Sequence, residues 1–214
     1  MKARIGIIGT GWVGTSVAFS TLLAGHAGEL WLHDLRADVA EGEALDLADG
    51  AAFYPRCSVQ AVPLAQMREA DIVVIAAGRN GRPDESRLDL LRDNARVAAG
   101  IGRALAGFPG VIVVVTNPVD VLTRLVTAAS GLPPARVLGT GTMLDTARLR
   151  ERLAGHLKVA TSTVHAQVVG EHGDSSVCCG RAPASARCRC GSGRAGPRTK
   201  NPPWPATCVA RPMT

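Results

Sequence analysis

The hexapeptide GTGWVG at residues 9–14 constrains the fold more than any other stretch of the sequence. It directly follows an apolar run, IGII (5–8), and opens a segment from Trp12 to Gly25 with apolar residues on one side. Glycines at this spacing permit a tight turn, close approach of the backbone to a phosphate, and close packing of a helix on a strand. The motif therefore predicts a strand, a turn and a helix whose N-terminus faces an anionic phosphate.

Short apolar runs alternate with longer helical patterns over the first 154 residues. The apolar runs are continuous rather than alternating with polar residues, which is typical of parallel strands covered on both faces. The fold class predicted is α/β, with a doubly wound parallel sheet of the Rossmann type. The further predicted strands are 29–33, 58–62, 71–77, 111–115 and 136–139, and the further predicted helices are 37–48, 87–105, 118–129 and 144–154.

Asp34 ends the second predicted strand, 20 residues after Gly14. A carboxylate at this place accepts hydrogen bonds from the hydroxyls of an adenosine ribose and repels a 2′-phosphate. The sequence therefore predicts NAD rather than NADP as the cofactor, although Arg36 reduces this preference slightly. The alternative is a glycine turn that holds no ligand.

Six motifs resemble those of the lactate/malate dehydrogenase family in order and spacing, and their sequences are closer to the lactate branch of the family. The resemblance implies an NAD-dependent L-lactate dehydrogenase, with malate or another 2-hydroxy acid as the alternative substrate. A truncated NAD-binding module without activity is the second alternative. The motifs are GTGWVG (9–14), AAG (76–78), DESRLDLLRDN (84–94), TNPVDVLT (116–123), GTGTMLDTARLR (139–150) and VVGEHGDS (168–175).

The resemblance also assigns roles to individual residues. It makes His172 the proton donor and acceptor, Asp145 its carboxylate partner, and Arg148 the ligand of the substrate carboxylate. It makes Arg87 the group that polarises the substrate carbonyl, and Asn117 a ligand of both substrate and cofactor. The cofactor contacts that it implies are Gly9, Gly11, Trp12, Val13, Gly14, Asp34, Ala77, Gly78 and Asn117.

The chemistry independently requires these residue types. Hydride transfer to a ketone builds negative charge on oxygen, which needs a proton and a nearby cation. Histidine titrates near neutrality, and arginine binds a carboxylate through two parallel hydrogen bonds. Each residue alone also has an ordinary structural interpretation: a loop histidine, a solvated helix arginine, or a helix cap. Nothing in the sequence indicates a metal site.

Two further pairs of residues concern specificity and regulation. Gly81 lies six residues before Arg87, where the family's lactate enzymes usually carry Gln and its malate enzymes Arg. Gly81 would admit a bulkier 2-oxo acid, and Arg82 could contact a second carboxylate. Arg150 and His165 match positions that bind fructose 1,6-bisphosphate between subunits of bacterial allosteric enzymes. The resemblance implies a homotetramer in the intact family member.

The sequence changes character after Ser176. We interpret residues 1–140 as the NAD-binding domain, 141–176 as the start of an incomplete α+β catalytic domain, and 177–214 as an aberrant, disordered basic tail. The tail holds seven Lys and Arg, no Asp or Glu, and five of the six cysteines, so it carries the excess of 24 basic over 18 acidic residues. Because the excess charge lies only in this tail, we expect no nucleic-acid partner. No apolar stretch is long enough to cross a bilayer, so we expect no membrane partner, and the lone body cysteine, Cys57, suits the cytoplasm.

The tail has three candidate origins: a Cys/Arg-rich module, a basic segment that binds anions, and a shifted reading frame. The cysteine spacing fits no zinc site. Codons for CCGRAPASA, read two bases later, can spell LWSGASVG, which is how lactate dehydrogenases continue after GEHGDS. The sequence therefore favours a frameshift.

Overall fold

The computed structural model describes residues 2–79, 81, 86–173 and 175–180. The chain divides into two compact units, residues 1–140 and the residues from Gly141 onward. The first unit contains a six-stranded sheet in the order β3-β2-β1-β4-β5-β6, in which every neighbouring pair is parallel. The predicted α/β, doubly wound class is confirmed. The strands of this sheet are β1 (Ala3–Ile8), β2 (Ala27–His33), β3 (Ser58–Ala61), β4 (Ile72–Ile75), β5 (Val111–Val114) and β6 (Val137–Gly139).

Four α-helices connect these strands: α1 (Trp12–Leu23), α2 (Ala37–Asp49), α3 (Arg87–Ala104) and α4 (Val119–Ser130). The sheet has an apolar layer on each face. Within β4, Val73 and Ile75 belong to one buried cluster and Val74 to the other. Because both faces are covered, the residues of the central strands β4 and β5 are all apolar, which is why these strands are recognisable as continuous runs.

The observed elements differ in places from those predicted. The strand predicted over 71–77 ends at Ile75, so Ala76 and Ala77 lie in the segment that leaves the sheet. A 3-10 helix, Leu64–Glu69, was not predicted; it follows Pro63 and buries Met67 completely. The last predicted helix is longer than expected, because α5 spans Met143–Leu157.

The second unit contains α5 and a two-stranded antiparallel sheet, β7 (Ala166–Val169) and β8 (Val177–Gly180). Its small apolar core consists of Leu149, Ala154, Val164, Ala166 and Val168. Strand β8 falls within the predicted tail, and its four residues pair with β7 instead of being disordered. Strand pairing uses main-chain groups, so short β-forming residues such as Val177 suffice for it. The rest of the predicted tail lies outside the described residues.

None of the helices within the described ranges is both long and apolar enough to cross a bilayer. The same residues contain no group of three or more His, Cys, Asp and Glu that could hold a metal ion.

Candidate active site

The GTGWVG loop connects β1 to α1, and two of its glycines are required by close packing. Gly9 has a φ of +95°, and its amide donates to the carbonyl of His33 at 2.7 Å. A Cβ on Gly14 would lie 1.8 Å from the carbonyl oxygen of Gly9, whereas a Cβ on Gly11 would have no atom of the described residues within 4 Å apart from its chain neighbours. The loop therefore has a closed side, made by Gly9 and Gly14, and an open side at Gly11 next to the N-terminus of α1.

Asp34, directly after β2, lies against this loop. Its Oδ2 accepts a hydrogen bond from the Thr10 amide at 3.0 Å, and its Oδ1 accepts one from the Arg36 amide at 3.1 Å. Burial by itself raises the pKa of this carboxyl, but these two amides and the Thr10 hydroxyl outweigh it and lower the pKa. Asp34 is therefore an ionised acceptor beside the loop, as binding of ribose hydroxyls requires.

A cavity of about 300 Å³ adjoins the open side of the loop. Trp12 is almost fully exposed at its edge. Cavities of this size are at the lower end of those that bind small molecules. Its lining residues are Thr10, Gly11, Trp12, Thr15, Ser16 and Glu43.

The segments that follow β4 and β5 run side by side at the carboxyl end of the sheet. The hydroxyl of Thr116 donates to the carbonyl of Ala77 at 2.8 Å. A Cβ on Gly78 would lie 2.4 Å from Thr116 Cγ2, so only glycine fits this contact. The peptide bond between Asn117 and Pro118 is cis. Ala77, Gly78 and Asn117, all predicted to contact the cofactor, are thus brought together by the sheet.

Asn94 was assigned no role from the sequence, yet the structure places it against these same segments. It is almost completely buried on α3, and its carboxamide hydrogen-bonds the main chain of Arg79 and Asn117. The signal that could have revealed it is a polar residue on the apolar face of α3, three residues after Leu91 and four before Ala98.

In the second unit, three predicted residues lie together. His172 Nδ1 is 2.5 Å from Asp145 Oδ2, and Arg148 Nη1 is 3.4 Å from Asp145 Oδ1. Asp145 lies in the first turn of α5, and Arg148 follows three residues later on the same helix face. The His172 and Asp145 side chains are about a quarter exposed, at 28% and 25%, and Arg148 is 61% exposed. The arrangement couples an imidazole to a carboxylate beside an accessible guanidinium.

Three polar residues spaced four apart, one at the N-cap of α5 and two within the helix, contact the main chain of β7. The hydroxyls of Thr142 and Thr146 both donate to the carbonyl of Val168, at 2.6 and 3.4 Å, and the Val168 amide donates to the Thr146 oxygen at 2.9 Å. Arg150 Nε donates to the carbonyl of Ala166 at 2.8 Å. These contacts fix α5, which carries Asp145, on the strand that leads to His172.

The remaining predicted residues are less fully placed. The guanidinium of Arg150 donates to the carbonyl of Ala166, the residue after His165. His165 itself is exposed. The two predicted effector ligands are therefore neighbours. Arg87 begins α3, but its side chain lies outside the described residues, as does all of Arg82. Gly81 is exposed, and a Cβ there would lie 3.2 Å from Leu90 Cδ2. A larger residue at 81 would therefore require Leu90 to move.

Comparison with known proteins follows the division into two units. Residues 3–139 match the model of the lactate/malate dehydrogenase NAD-binding domain, and residues 142–182 match the model of the family's alpha/beta C-terminal domain.

The chain belongs to the lactate/malate dehydrogenase family.

Individual members of the lactate/malate dehydrogenase family agree with this assignment. L-lactate dehydrogenase 2 of Enterococcus faecalis is 47% identical over 177 residues, which are 81% of this chain and 56% of that relative. L-lactate dehydrogenase of Kosmotoga olearia is 42% identical over the same length. The crystal structure of the ligand-bound minor L-lactate dehydrogenase from Enterococcus mundtii matches with a TM-score of 0.80 and 45% identity, covering 82% of this chain and 57% of that one.

The chain spans about 56% of the length of the curated relatives that it matches. The family assignment, the Rossmann-type fold and NAD as the cofactor of the first unit are confirmed. The match to the C-terminal domain extends to residue 182, six residues beyond the boundary predicted from the sequence. The roles of individual residues stay predictions.

Proposed function

We propose that the chain carries the NAD-dependent L-lactate dehydrogenase site, which transfers a hydride between NAD(H) and a 2-hydroxy or 2-oxo acid, with lactate and pyruvate as the preferred pair. The observation that carries the proposal is the 2.5 Å contact between His172 Nδ1 and Asp145 Oδ2. Imidazole–carboxylate pairs of this kind hold a proton ready for transfer to or from a substrate oxygen.

His172 performs the proton transfer in this proposal. With Nδ1 donating to the Asp145 carboxylate, Nε2 is the nitrogen that exchanges a proton with the substrate. Nε2 accepts the hydroxyl proton when the acid is oxidised and returns it when the ketone is reduced. The adjacent carboxylate stabilises the imidazolium formed in the first direction.

Two arginines act on the substrate. Arg148, on the turn of α5 next to Asp145, binds the substrate carboxylate through its planar guanidinium, which remains largely exposed. Arg87, at the start of α3, polarises the substrate carbonyl, as the family resemblance implies. The glycine loop, Asp34 and Asn117 would hold NAD, which when bound supplies or accepts the hydride.

The preferred acid is tested by steady-state kinetics. Gly81 has no charged side chain that could bind a second substrate carboxylate, which favours a monocarboxylate such as pyruvate over oxaloacetate. NADH oxidation should show a higher kcat/KM with pyruvate than with oxaloacetate. The opposite ratio would make this a malate-type enzyme, with Arg82 as the residue to examine first.

We further propose that fructose 1,6-bisphosphate regulates a cytoplasmic, tetrameric enzyme of glycolytic pyruvate fermentation. Arg150 and exposed His165 lie next to each other through Ala166, and a cation beside an imidazole suits a phosphate. Adding the bisphosphate should lower the KM for pyruvate or favour the tetramer. If it changes neither, the effector site is absent.

The tail composition supports a frameshift near codon 177. The competing function is an NAD-binding module without turnover, which the self-contained core of the first unit favours. One assay separates the two: NADH oxidation by pyruvate with this chain and with a version restored to the LWSGASVG frame. Activity only in the restored chain supports the frameshift, and activity in neither supports the binding module.

A further inference from the structure

We infer that Asn94 is a positioning residue for the nicotinamide half of the NAD site, and that it acts through the main chain of Arg79 and Asn117. The inference rests on the proposed function. Asn94 lies in α3 and is 3% exposed, so its carboxamide is a buried polar group that requires partners inside the protein.

Those partners are three main-chain groups of two other segments. Asn94 Oδ1 accepts from the Arg79 amide at 3.0 Å, and Nδ2 donates to the Arg79 carbonyl at 3.3 Å. The two bonds with one residue copy the exchange between paired antiparallel strands, so they fix orientation as well as distance. Nδ2 also lies 3.4 Å from the carbonyl of Asn117. One side chain therefore connects the segment after β4 to the segment after β5.

The segment from Ala77 to Arg79 is contacted at each of its residues. Thr116 Oγ1 donates to the carbonyl of Ala77, and a Cβ on Gly78 would approach both Thr116 Cγ2, at 2.4 Å, and Asn94 Oδ1, at 3.4 Å. Asn94 then bonds both main-chain groups of Arg79. Thr116 and Asn94 thus hold this segment on both sides of Gly78, together with the ion pair between the Arg79 and Asp93 side chains.

The position of these segments in the sheet decides which part of the cofactor they serve. A doubly wound sheet has two mononucleotide-binding halves that meet where the strand order reverses. Asp34 follows β2 and therefore belongs to the half that binds adenosine, β1–β3. The partners of Asn94 follow β4 and β5, in the half that receives the nicotinamide nucleotide. Loss of the Asn94 contacts should weaken NADH binding without affecting ADP-ribose.

The experiment measures the affinities of the full 214-residue chain for NADH and for ADP-ribose by calorimetry. Asn94→Asp keeps the shape of the side chain but replaces the donating amide with an acceptor that faces two carbonyls. We expect NADH affinity to fall about tenfold or more, which one lost buried hydrogen bond accounts for. ADP-ribose affinity should stay within about twofold of the wild-type value, since a twofold change corresponds to much less free energy than the loss of one hydrogen bond.

A second pair of variants keeps the test independent of Asn94 itself. Thr116→Val removes the bond to Ala77 and should show the same selective loss, whereas Thr116→Ser retains the hydroxyl and should bind NADH normally. Ile101→Val is the matched control for destabilisation. It is buried on α3, two turns after Asn94, and contributes no hydrogen bond to either segment. Its ratio of the two affinities should equal that of the wild type.

Three results would overturn the inference. The first is an unchanged NADH affinity in folded Asn94→Asp. The second is an equal loss of NADH and ADP-ribose in both Asn94→Asp and Thr116→Val, which would indicate general destabilisation. The third is a wild-type chain that binds neither ligand, and this result alone would refute the proposed NAD-dependent function as well.

Discussion

The glycine loop offers a matched pair of substitutions with opposite expected effects. Gly11→Ala and Gly14→Ala add the same methyl group three residues apart in one motif. The methyl at Gly14 would lie 1.8 Å from the carbonyl oxygen of Gly9, whereas the one at Gly11 would be clear, by 4 Å or more, of every described residue except its chain neighbours. We predict that Gly14→Ala lowers stability and that Gly11→Ala lowers cofactor affinity with little change in stability.

The size of the Gly14 effect can be worked out from the contact. The distance must lengthen by more than 1 Å to reach 3.0 Å, the shortest that real Cβ atoms show, and the obstacle is the backbone carbonyl of Gly9 rather than a side chain. Overpacking of this kind costs about 3 kcal/mol, and the better helix propensity of alanine in α1 offsets about 1 kcal/mol. A net loss of about 2 kcal/mol lowers the Tm of a domain of this size by roughly 10 °C.

Gly11 is the N-cap of α1, with φ −74° and ψ −175°, a conformation that alanine adopts without strain. Alanine is a slightly poorer N-cap, which costs about 0.5 kcal/mol and only roughly 2 °C of Tm. Its methyl group occupies the open side of the loop, where the pyrophosphate must approach the backbone, so NADH affinity should fall at least about tenfold.

Thermal unfolding followed by circular dichroism, without ligand, gives the Tm of both variants, and titration of NADH fluorescence gives their affinities. The two measurements must separate the variants. A Gly14→Ala protein that unfolds at the wild-type Tm would refute the packing argument. A Gly11→Ala protein that binds NADH as the wild type does would refute the assignment of the open side to the pyrophosphate.

Three further predictions follow from single contacts. Because the pKa of Asp34 is lowered in the folded protein, its hydrogen bonds stabilise the fold fully above the ordinary carboxyl pKa of 3.8. This stabilisation is lost as the pH falls through the lowered pKa of the folded state. The difference in urea midpoint between wild type and Asp34→Asn should therefore be constant above about pH 5 and shrink below pH 3.8; a difference that grows on acidification contradicts this. Asp34→Ser should raise the affinity for NADPH relative to NADH, since it removes the charge that repels a 2′-phosphate; an unchanged ratio in calorimetry contradicts it. Thr146→Val should speed amide hydrogen exchange at Val168 about tenfold, because it leaves this amide unpaired, whereas Thr146→Ser should not.

The strands and the glycine loop could be predicted from the sequence because their causes are local. A parallel strand covered on both faces is a continuous apolar run, as in Val73, Val74 and Ile75. The 3-10 helix around Met67 could not be predicted in this way, since six residues after a proline carry no helical period. Only the fully buried position of Met67 in the finished core accounts for it.

Asn94 and Thr146 show a second limit of local reasoning. Both are polar residues whose hydrogen-bond partners are main-chain groups 15 to 23 residues away along the chain. A main-chain carbonyl has no residue-type signature, so no pattern in the sequence marks the segment that will receive such a bond. The residues predicted from motifs are those with proposed roles in binding or catalysis, whereas the residues that hold these segments in place required the structure.

The two halves of the proposed chemistry depend on different kinds of contact. The cofactor crevice needs segments from β1, β2, β4 and β5, so it forms only when the whole first sheet does. The imidazole–carboxylate pair needs only α5 and β7, which lie within 30 residues and are joined by the Thr142 and Thr146 hydroxyls to Val168. The pair and the crevice should therefore respond independently to substitution. Thr146→Val would disturb His172 without changing NADH affinity, and Gly11→Ala would do the reverse.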